Sequence, residues 1–250
     1  MSGHSKWHSI KHQKGVADAR RGQLFTKLTR ELIVAAREGG SNPDTNFRLR
    51  LAVQKARDSN MPMDNIDRAI KKGSGELEGG SLSEVVLEGY GPSGIAILIN
   101  ALTDNRNRTI QDVRSAFTRH GGNMGEAGCV SWLFDSKGVI TVKADNVDAD
   151  ELALSAIDAG AEDVNVENGY VEAYTDPEDL ERVREALEEK NLDIESSELS
   201  KVPKSLIKLD DKAAMQALKL MDRLEDIDDI QNVFSNADIP NSVVEEYQSQ

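Results

Sequence analysis

Residues 138–200 read GVITVKADNVDADELALSAIDAGAEDVNVENGYVEAYTDPEDLERVREALEEKNLDIESSELS. Val139–Lys143 alternates as a strand does, and Ala149–Ala159 carries helix-forming residues at helical spacing. Val164–Glu167 and Tyr170–Tyr174 flank Asn168-Gly169, a dipeptide that favours the tight turn of a hairpin. Pro177–Glu189 follows as a helix with Asp176 as its cap, and Asp193–Leu199 closes the segment as a strand. The order βαββαβ is the ferredoxin-like arrangement, which sets the fold class as α+β.

Working outward, the flanks look like two halves of one further domain. Before the segment, Leu82–Glu88 reads as a strand, Gly91-Pro92-Ser93-Gly94 as a turn and Ile95–Leu102 as a buried strand. Thr109–His120 is a helix stopped by Gly121-Gly122, and Cys129–Phe134 reads as a strand. After it come a short strand at Leu206–Leu209, a helix at Asp211–Leu224 and a strand at Ile230–Phe234. These pieces predict a discontinuous α+β domain, 82–135 plus 203–250, with the ferredoxin-like unit 137–201 inserted in it.

The first 75 residues predict a small domain of three helices. Leu24, Phe25, Leu28 and Leu32 follow helical spacing between Val16 and Glu38, and Gly39-Gly40 ends that helix. Asn42 and Pro43 are read as the cap and first residue of a second helix running to about Arg57. A third begins near Pro62, carries Ile66, Ala69 and Ile70 on its apolar face, and is closed by Gly73. Ser74–Ser81 reads as a linker.

Charge separates these parts. The chain has 250 residues and a net charge of -14. Met1–Lys72 holds 15 basic and 7 acidic residues, a balance of +8, which leaves -22 for the rest. That asymmetry suggests a polyanion-binding third and an acidic body that repels phosphate, so a nucleic acid is met in one orientation. Solvated helix faces rich in Lys and Arg are the plainer alternative. The extreme N-terminus favours the first: its first 17 residues hold three Lys, three His and Trp7, and no carboxylate.

Other classes find less support. No run of roughly 18 apolar residues appears, so a spanning helix and a membrane partner are not expected. The N-terminus lacks the apolar core of a secretory signal, and a cytoplasmic location is expected. One cysteine, Cys129, excludes an internal disulfide. It lies in an apolar stretch and reads as a small hydrophobe sooner than as a reactive thiol. No catalytic signature stands out, no cofactor is implied, and a non-enzyme is expected.

Three segments are candidates for binding. In GHSKWHSIKHQKG, Lys6, Lys11 and Lys14 can neutralise phosphates while Trp7 stacks on bases; a polar tail is the alternative. Arg20, Arg21, Lys27 and Arg30 continue the basic surface along the first helix. His4, His8 and His12 recur every four residues, but without further ligands they make a poor zinc site. Asp104-Asn105-Arg106-Asn107-Arg108-Thr109 opens a helix after the buried strand. Its Asp, Asn and Thr suit capping, whereas Arg106 and Arg108 in the first turn oppose the helix dipole and suit a bound anion. The glycine-rich stretch Gly121–Gly128 runs helix to strand and lacks the ending of a nucleotide loop. It reads as a loop that approaches a partner or as a connector.

GHSKW with IKHQKG, ADARRGQLFTKL, NMPMDNIDRAIKKG, EGYGPSG, TDNRNRT and GGNMGEAGCVSWLF together resemble the YebC family from end to end. Two positions depart from its pattern: Ser93 stands where glycine is expected and Cys129 where serine is expected. The resemblance implies a helical N-terminal domain and two α+β domains, one inserted in the other. Bacterial members are described as transcriptional regulators that bind DNA. The family also includes a mitochondrial translational activator of cytochrome oxidase, and bacterial members have been linked to ribosomes stalled on proline-rich chains. The resemblance therefore implies a DNA-binding transcriptional regulator, with a ribosome-associated translation factor that binds ribosomal RNA as the alternative. Lys6, Trp7, Lys11, Lys14, Arg20, Arg21, Arg106 and Arg108 lie within the matching motifs. A protein adaptor and an enzyme rank below both readings.

Overall fold

The computed structural model describes residues 18–78, 81–144, 148–167 and 169–249. The chain packs as two compact units. Among the described residues, one is Leu133–Ser205 and the other joins Asp18–Trp132 with Leu206–Ser249.

The Leu133–Ser205 unit contains β4 (Phe134–Lys143), α5 (Ala149–Ala159), β5 (Asp163–Glu167), β6 (Tyr170–Thr175), α6 (Leu180–Glu189) and β7 (Ile194–Pro203). Its sheet runs β5-β6-β4-β7, antiparallel throughout, which is the ferredoxin-like order. Ile140 and Val142 pair with Ala173 and Val171, so all four share one face. That face is buried, as are Leu152 and Ala156 of α5 and Val183 and Leu187 of α6. Asp148 caps α5 by accepting from the Asp150 N–H at 2.8 Å. The second helix starts three residues later than its sequence suggests, at Leu180, because Pro177–Asp179 forms a turn instead.

The larger unit opens with α1 (Asp18–Gly39), α2 (Phe47–Asp58) and α3 (Met63–Gly73) around Leu28, Leu32, Ala35, Leu49, Ala56 and Ile66. The cap of α2 is Asn46, not Asn42. The Asn46 side chain accepts from the Leu49 N–H at 3.1 Å and donates to the carbonyls of Ala35 and Gly40 at 2.7 and 2.8 Å. Asn42 makes a local turn, its side chain accepting from the Asp44 N–H. Gly73 does not close α3 through a left-handed conformation. It is buried, and a Cβ there would lie 2.3 Å from the Ile33 carbonyl oxygen, so its missing side chain lets α3 lie on α1.

Next come β1 (Ser83–Tyr90), β2 (Ala96–Thr103), α4 (Arg106–Arg119) and the two-residue β3 (Asn123–Met124). After the other unit the chain returns as β8 (Ile207–Lys208), α7 (Asp211–Glu225), β9 (Ile230–Ser235), β10 (Ala237–Asp238) and α8 (Asn241–Gln248). The sheet order is β3-β1-β2-β9, so β9 pairs with β2 across more than 120 intervening residues, Ile97 opposite Ser235. Val85, Leu87, Ile97, Ile99 and Val233 of the sheet share a core with Val113 and Phe117 of α4 and with Leu218 and Met221 of α7. The short α8 has no strong pattern in sequence. It is held by buried Val243 and Tyr247, whose hydroxyl donates to Asp222 at 2.8 Å.

The strand expected at Cys129–Phe134 is absent. Ser131–Leu133 is a 3-10 turn, and β4 starts at Phe134. The N–H groups of Gly128, Val130 and Ser131 donate to the Glu88 carboxylate at 2.7, 2.7 and 2.8 Å, so they are not available to a neighbouring strand.

Candidate nucleic-acid interface

Helix α1 carries two kinds of cation. Gln23, Lys27 and Arg30 lie four and three residues apart, on one stripe. That stripe meets the C-terminal end of α7, whose last carbonyls lack partners within the helix and carry the negative end of its dipole. Gln23 donates to the Asp226 carbonyl at 2.9 Å, Lys27 to the Glu225 carbonyl at 2.6 Å, and Arg30 to the Asp228 carbonyl at 2.7 Å. Lys27 and Arg30 thus serve a structural contact that their sequence pattern did not disclose.

Arg30 also ends on Asp229 at 2.5 Å, and Asp229 is the centre of a polar cluster. Its carboxylate accepts from Arg108 at 2.9 Å, Thr109 at 2.7 Å and Thr103 at 3.1 Å. Asp229 is 3 % exposed. Burial pushes its pKa up, but the Thr109 and Arg108 hydrogen bonds and the Arg30 charge outweigh this and hold it below the ordinary aspartate value. Asp229 in return raises the pKa of Arg108, with Asp104 contributing. The anion that Arg108 suits at the start of α4 is therefore supplied by the chain itself. Asn105 caps that helix, accepting from the Arg108 N–H at 3.1 Å, so capping and anion binding coexist.

The remaining candidates are distributed differently. Lys6, Trp7, Lys11 and Lys14 lie outside the described residues, as do His4, His8 and His12. Arg20 lies in the first turn of α1. Arg21 and Arg106 are exposed and have no carboxylate partner among the described residues. The same is true of Arg37, Arg57, Arg68, Lys71 and Lys72 in the helical region. Arg48 differs, bridging Glu31 at 2.8 Å, Glu38 at 2.6 Å and Glu84. The helical region thus keeps a set of uncompensated cations after its internal ion pairs are formed.

An open groove of ≈ 410 Å³ runs along α1 and α3, with Phe25, Arg30, Asn65, Lys72 and Asp104 among its lining. None of the groups whose pKa is displaced lines it. Glu88 and Asp229 spend their acceptor oxygens on hydrogen bonds within the fold. Burial also raises the pKa of the Cys129 thiol, with the charge of Glu88 adding to it, opposite to what an activated nucleophile needs.

Two family models match the chain. Residues 5–76 match the model described as the TACO1/YebC protein N-terminal domain, and residues 82–237 match the TACO1/YebC second and third domain. The chain belongs to the TACO1/YebC family. A Dehalococcoides mccartyi protein named "Probable transcriptional regulatory protein" is 60% identical over 250 residues, covering 100% of both chains. A Geobacter sulfurreducens protein of the same designation is 56% identical over 245 residues, covering 98% of this chain and 99% of its own. The crystal structure of a conserved hypothetical protein from Aquifex aeolicus superposes with a TM-score of 0.85 at 50% identity, covering 92% of this chain and 96% of that one. Among the described residues no helix is long and apolar enough to cross a membrane.

Proposed function

We propose that this protein is a non-enzymatic, DNA-binding transcriptional regulatory protein of the cytoplasm, which meets phosphate through its basic N-terminal third. The designation carried by its relatives supports the transcriptional reading over the translation factor. The observation that carries the DNA contact is charge: +8 up to Lys72 against -22 beyond, with Arg21, Arg37, Arg57, Arg68, Lys71 and Lys72 exposed and without a carboxylate partner among the described residues. The interface comprises Lys6, Trp7, Lys11, Lys14, Arg20 and Arg21, with Arg106 extending it. Lys27, Arg30 and Arg108 hold the scaffold behind it. The division of labour follows the parts 1–75, 82–135 with 203–250, and 137–201, with the acidic remainder orienting the nucleic acid by repulsion.

Neutralising phosphates releases counterions, so log affinity for duplex DNA falls linearly with log salt, by about 0.9 per phosphate contact. Changing Lys11, Lys14, Arg20 and Arg21 together to Gln should reduce that slope by about 3 to 4. The measurement is a fluorescence-anisotropy titration at several salt concentrations, with promoter fragments and random duplex side by side. An unchanged slope places the contact elsewhere. Crosslinking in cells completes the test: promoter DNA lost in the quadruple variant supports the proposal, whereas a discrete ribosomal RNA region without promoter DNA replaces it with the translation reading.

A further inference from the structure

We propose that Tyr90 and Trp132 form a stacking platform for an unpaired nucleobase, a second contact separate from the basic N-terminal third. The proposal rests on the nucleic-acid reading above. The chain has 2 Trp, and one of them, Trp132, is 64% exposed. The Trp132 Nε1–H donates to the Cys129 carbonyl oxygen at 3.1 Å, and the Tyr90 hydroxyl donates to the same oxygen at 3.0 Å. One carbonyl has two lone pairs and satisfies both. The indole's single polar atom is thereby occupied, so a base stacked on the ring displaces no hydrogen bond of the indole. Tyr90 is 41% exposed beside it.

The platform is fixed from below. Glu88, 5% exposed, anchors the loop through the three N–H groups of Gly128, Val130 and Ser131. Its own carbonyl accepts from the Gly125 N–H at 2.8 Å, and Val130 is fully buried. A buried carboxylate is thus committed to holding a loop that presents aromatic rings to solvent. Such preorganisation lowers the ordering cost of binding.

The surroundings select a base over an apolar peptide. Asn123 pairs with Tyr90, Gly121, Gly122, Gly125 and Gly128 lie in the same loop, and Met124 packs toward the core, so this loop offers backbone and polar groups rather than large aliphatic side chains. Helix α4 ends at Arg119, which is exposed and without a carboxylate partner among the described residues. Gly122 follows so closely on Tyr90 that a Cβ would lie 2.8 Å from the Tyr90 carbonyl oxygen. Arg119 is therefore placed at this end of the fold, where it can meet a phosphate; Glu126, also exposed, is the opposing charge on the loop. Bases within a duplex hide their faces, so the ligand is a single strand or an unpaired end.

The test uses the full chain with Trp7→Phe, so that Trp132 is the sole indole. It is titrated with a mixed-sequence single-stranded decanucleotide, as DNA and as RNA, and with the matching duplex. Stacking predicts quenching of Trp132 emission by the single strand. Trp132→Ala should weaken single-strand binding about 5- to 100-fold and leave duplex binding unchanged. Trp132→Phe, which keeps a ring, should recover most of the loss. Equal single-strand affinity in Trp132→Ala, read by the anisotropy of a labelled strand, together with unquenched emission in the chain that keeps Trp132, overturns the platform while salt-dependent duplex binding still stands. Failure of every strand and duplex to bind, in the chain that keeps Trp7 as well as in Trp7→Phe, overturns the nucleic-acid reading and the platform with it.

Discussion

Glu88 occupies a strand position whose burial asks for an apolar side chain, yet the three N–H groups facing it ask for a charge. Burial pushes its pKa up; the backbone hydrogen bonds of Gly128, Val130 and Ser131 more than reverse this and leave it lowered. A lowered folded pKa contributes stability that is fully present above the unfolded value of about 4.3 and is lost as pH falls through the folded value. Glu88→Gln removes that charge and turns an amide NH2 toward N–H donors. It should cost about 2 kcal/mol in urea unfolding at pH 7, with a gap that narrows in acid as the wild-type carboxylate protonates. A constant gap across pH would show that the charge is not what holds the loop. Ser93 poses the converse case. Its φ of 57° lies in the left-handed region, which favours glycine, and its side chain is exposed. Ser93→Gly relieves about 1 kcal/mol of backbone strain, less a few tenths for a freer unfolded chain, and should raise the thermal midpoint. A lowered midpoint would mean that the serine hydroxyl has a compensating role. Sequence resemblance marks this position as unusual; only the backbone angle explains why.

Helices and strands whose apolar faces repeat over several turns are legible in sequence, and their ends are not. The alternation in Val139–Lys143 and the spacing of Leu24, Leu28 and Leu32 report directly on which side is buried, and both elements are present. The sequence reading caps α2 with Asn42, whereas the structure caps it with Asn46, a residue of the same type with equal capping chemistry. What decides it lies on another element: the Ala35 and Gly40 carbonyls at the end of α1, which the Asn46 amide satisfies. Asn46→Ala loses the cap and leaves both carbonyls without that donor, a cost of about 2 to 3 kcal/mol. Asn46→Asp keeps the acceptor for the Leu49 N–H but turns a buried carboxylate oxygen toward the two carbonyls, and should be at least as destabilising as Ala. If Asp restores wild-type stability in urea unfolding, the cap alone matters and the bridge to α1 does not. Cys129–Phe134 failed as a strand for a related reason. Its β-branched and aromatic residues fit a strand, but a carboxylate about forty residues earlier takes its backbone donors, and no local pattern carries that information.

At the scale of the whole chain, charge is used twice, and composition alone cannot separate the uses. Of the basic residues near α1 and α4, some face solvent and some terminate on Asp229 or on the carbonyls that end α7. Asp228-Asp229, just before β9, gave no sign in sequence of answering Arg30 and Arg108, because the partners are 199 and 121 residues apart. Asp229 gathers α1, β2, α4 and the start of β9 at one carboxylate, so its loss should be felt by the helical region and the sheet together. Asp229→Asn keeps the shape and removes the charge; breaking a buried, hydrogen-bonded pair on one side costs on the order of 3 kcal/mol. Its pKa, like that of Glu88, is lowered in the folded state. The two carboxylates therefore each take up a proton on acid unfolding, and both lose their contribution as pH drops below the ordinary carboxylate range. In Asp229→Asn the slope of stability against pH in that range should decrease by up to one proton's worth, about 1.4 kcal/mol per pH unit. Duplex DNA binding per folded molecule should be preserved at neutral pH, since Arg30 and Arg108 act as scaffold. Tighter DNA binding in Asp229→Asn would instead show that Asp229 masks two arginines otherwise able to hold phosphate, and would turn the cluster from a structural lock into a competitor of the nucleic acid.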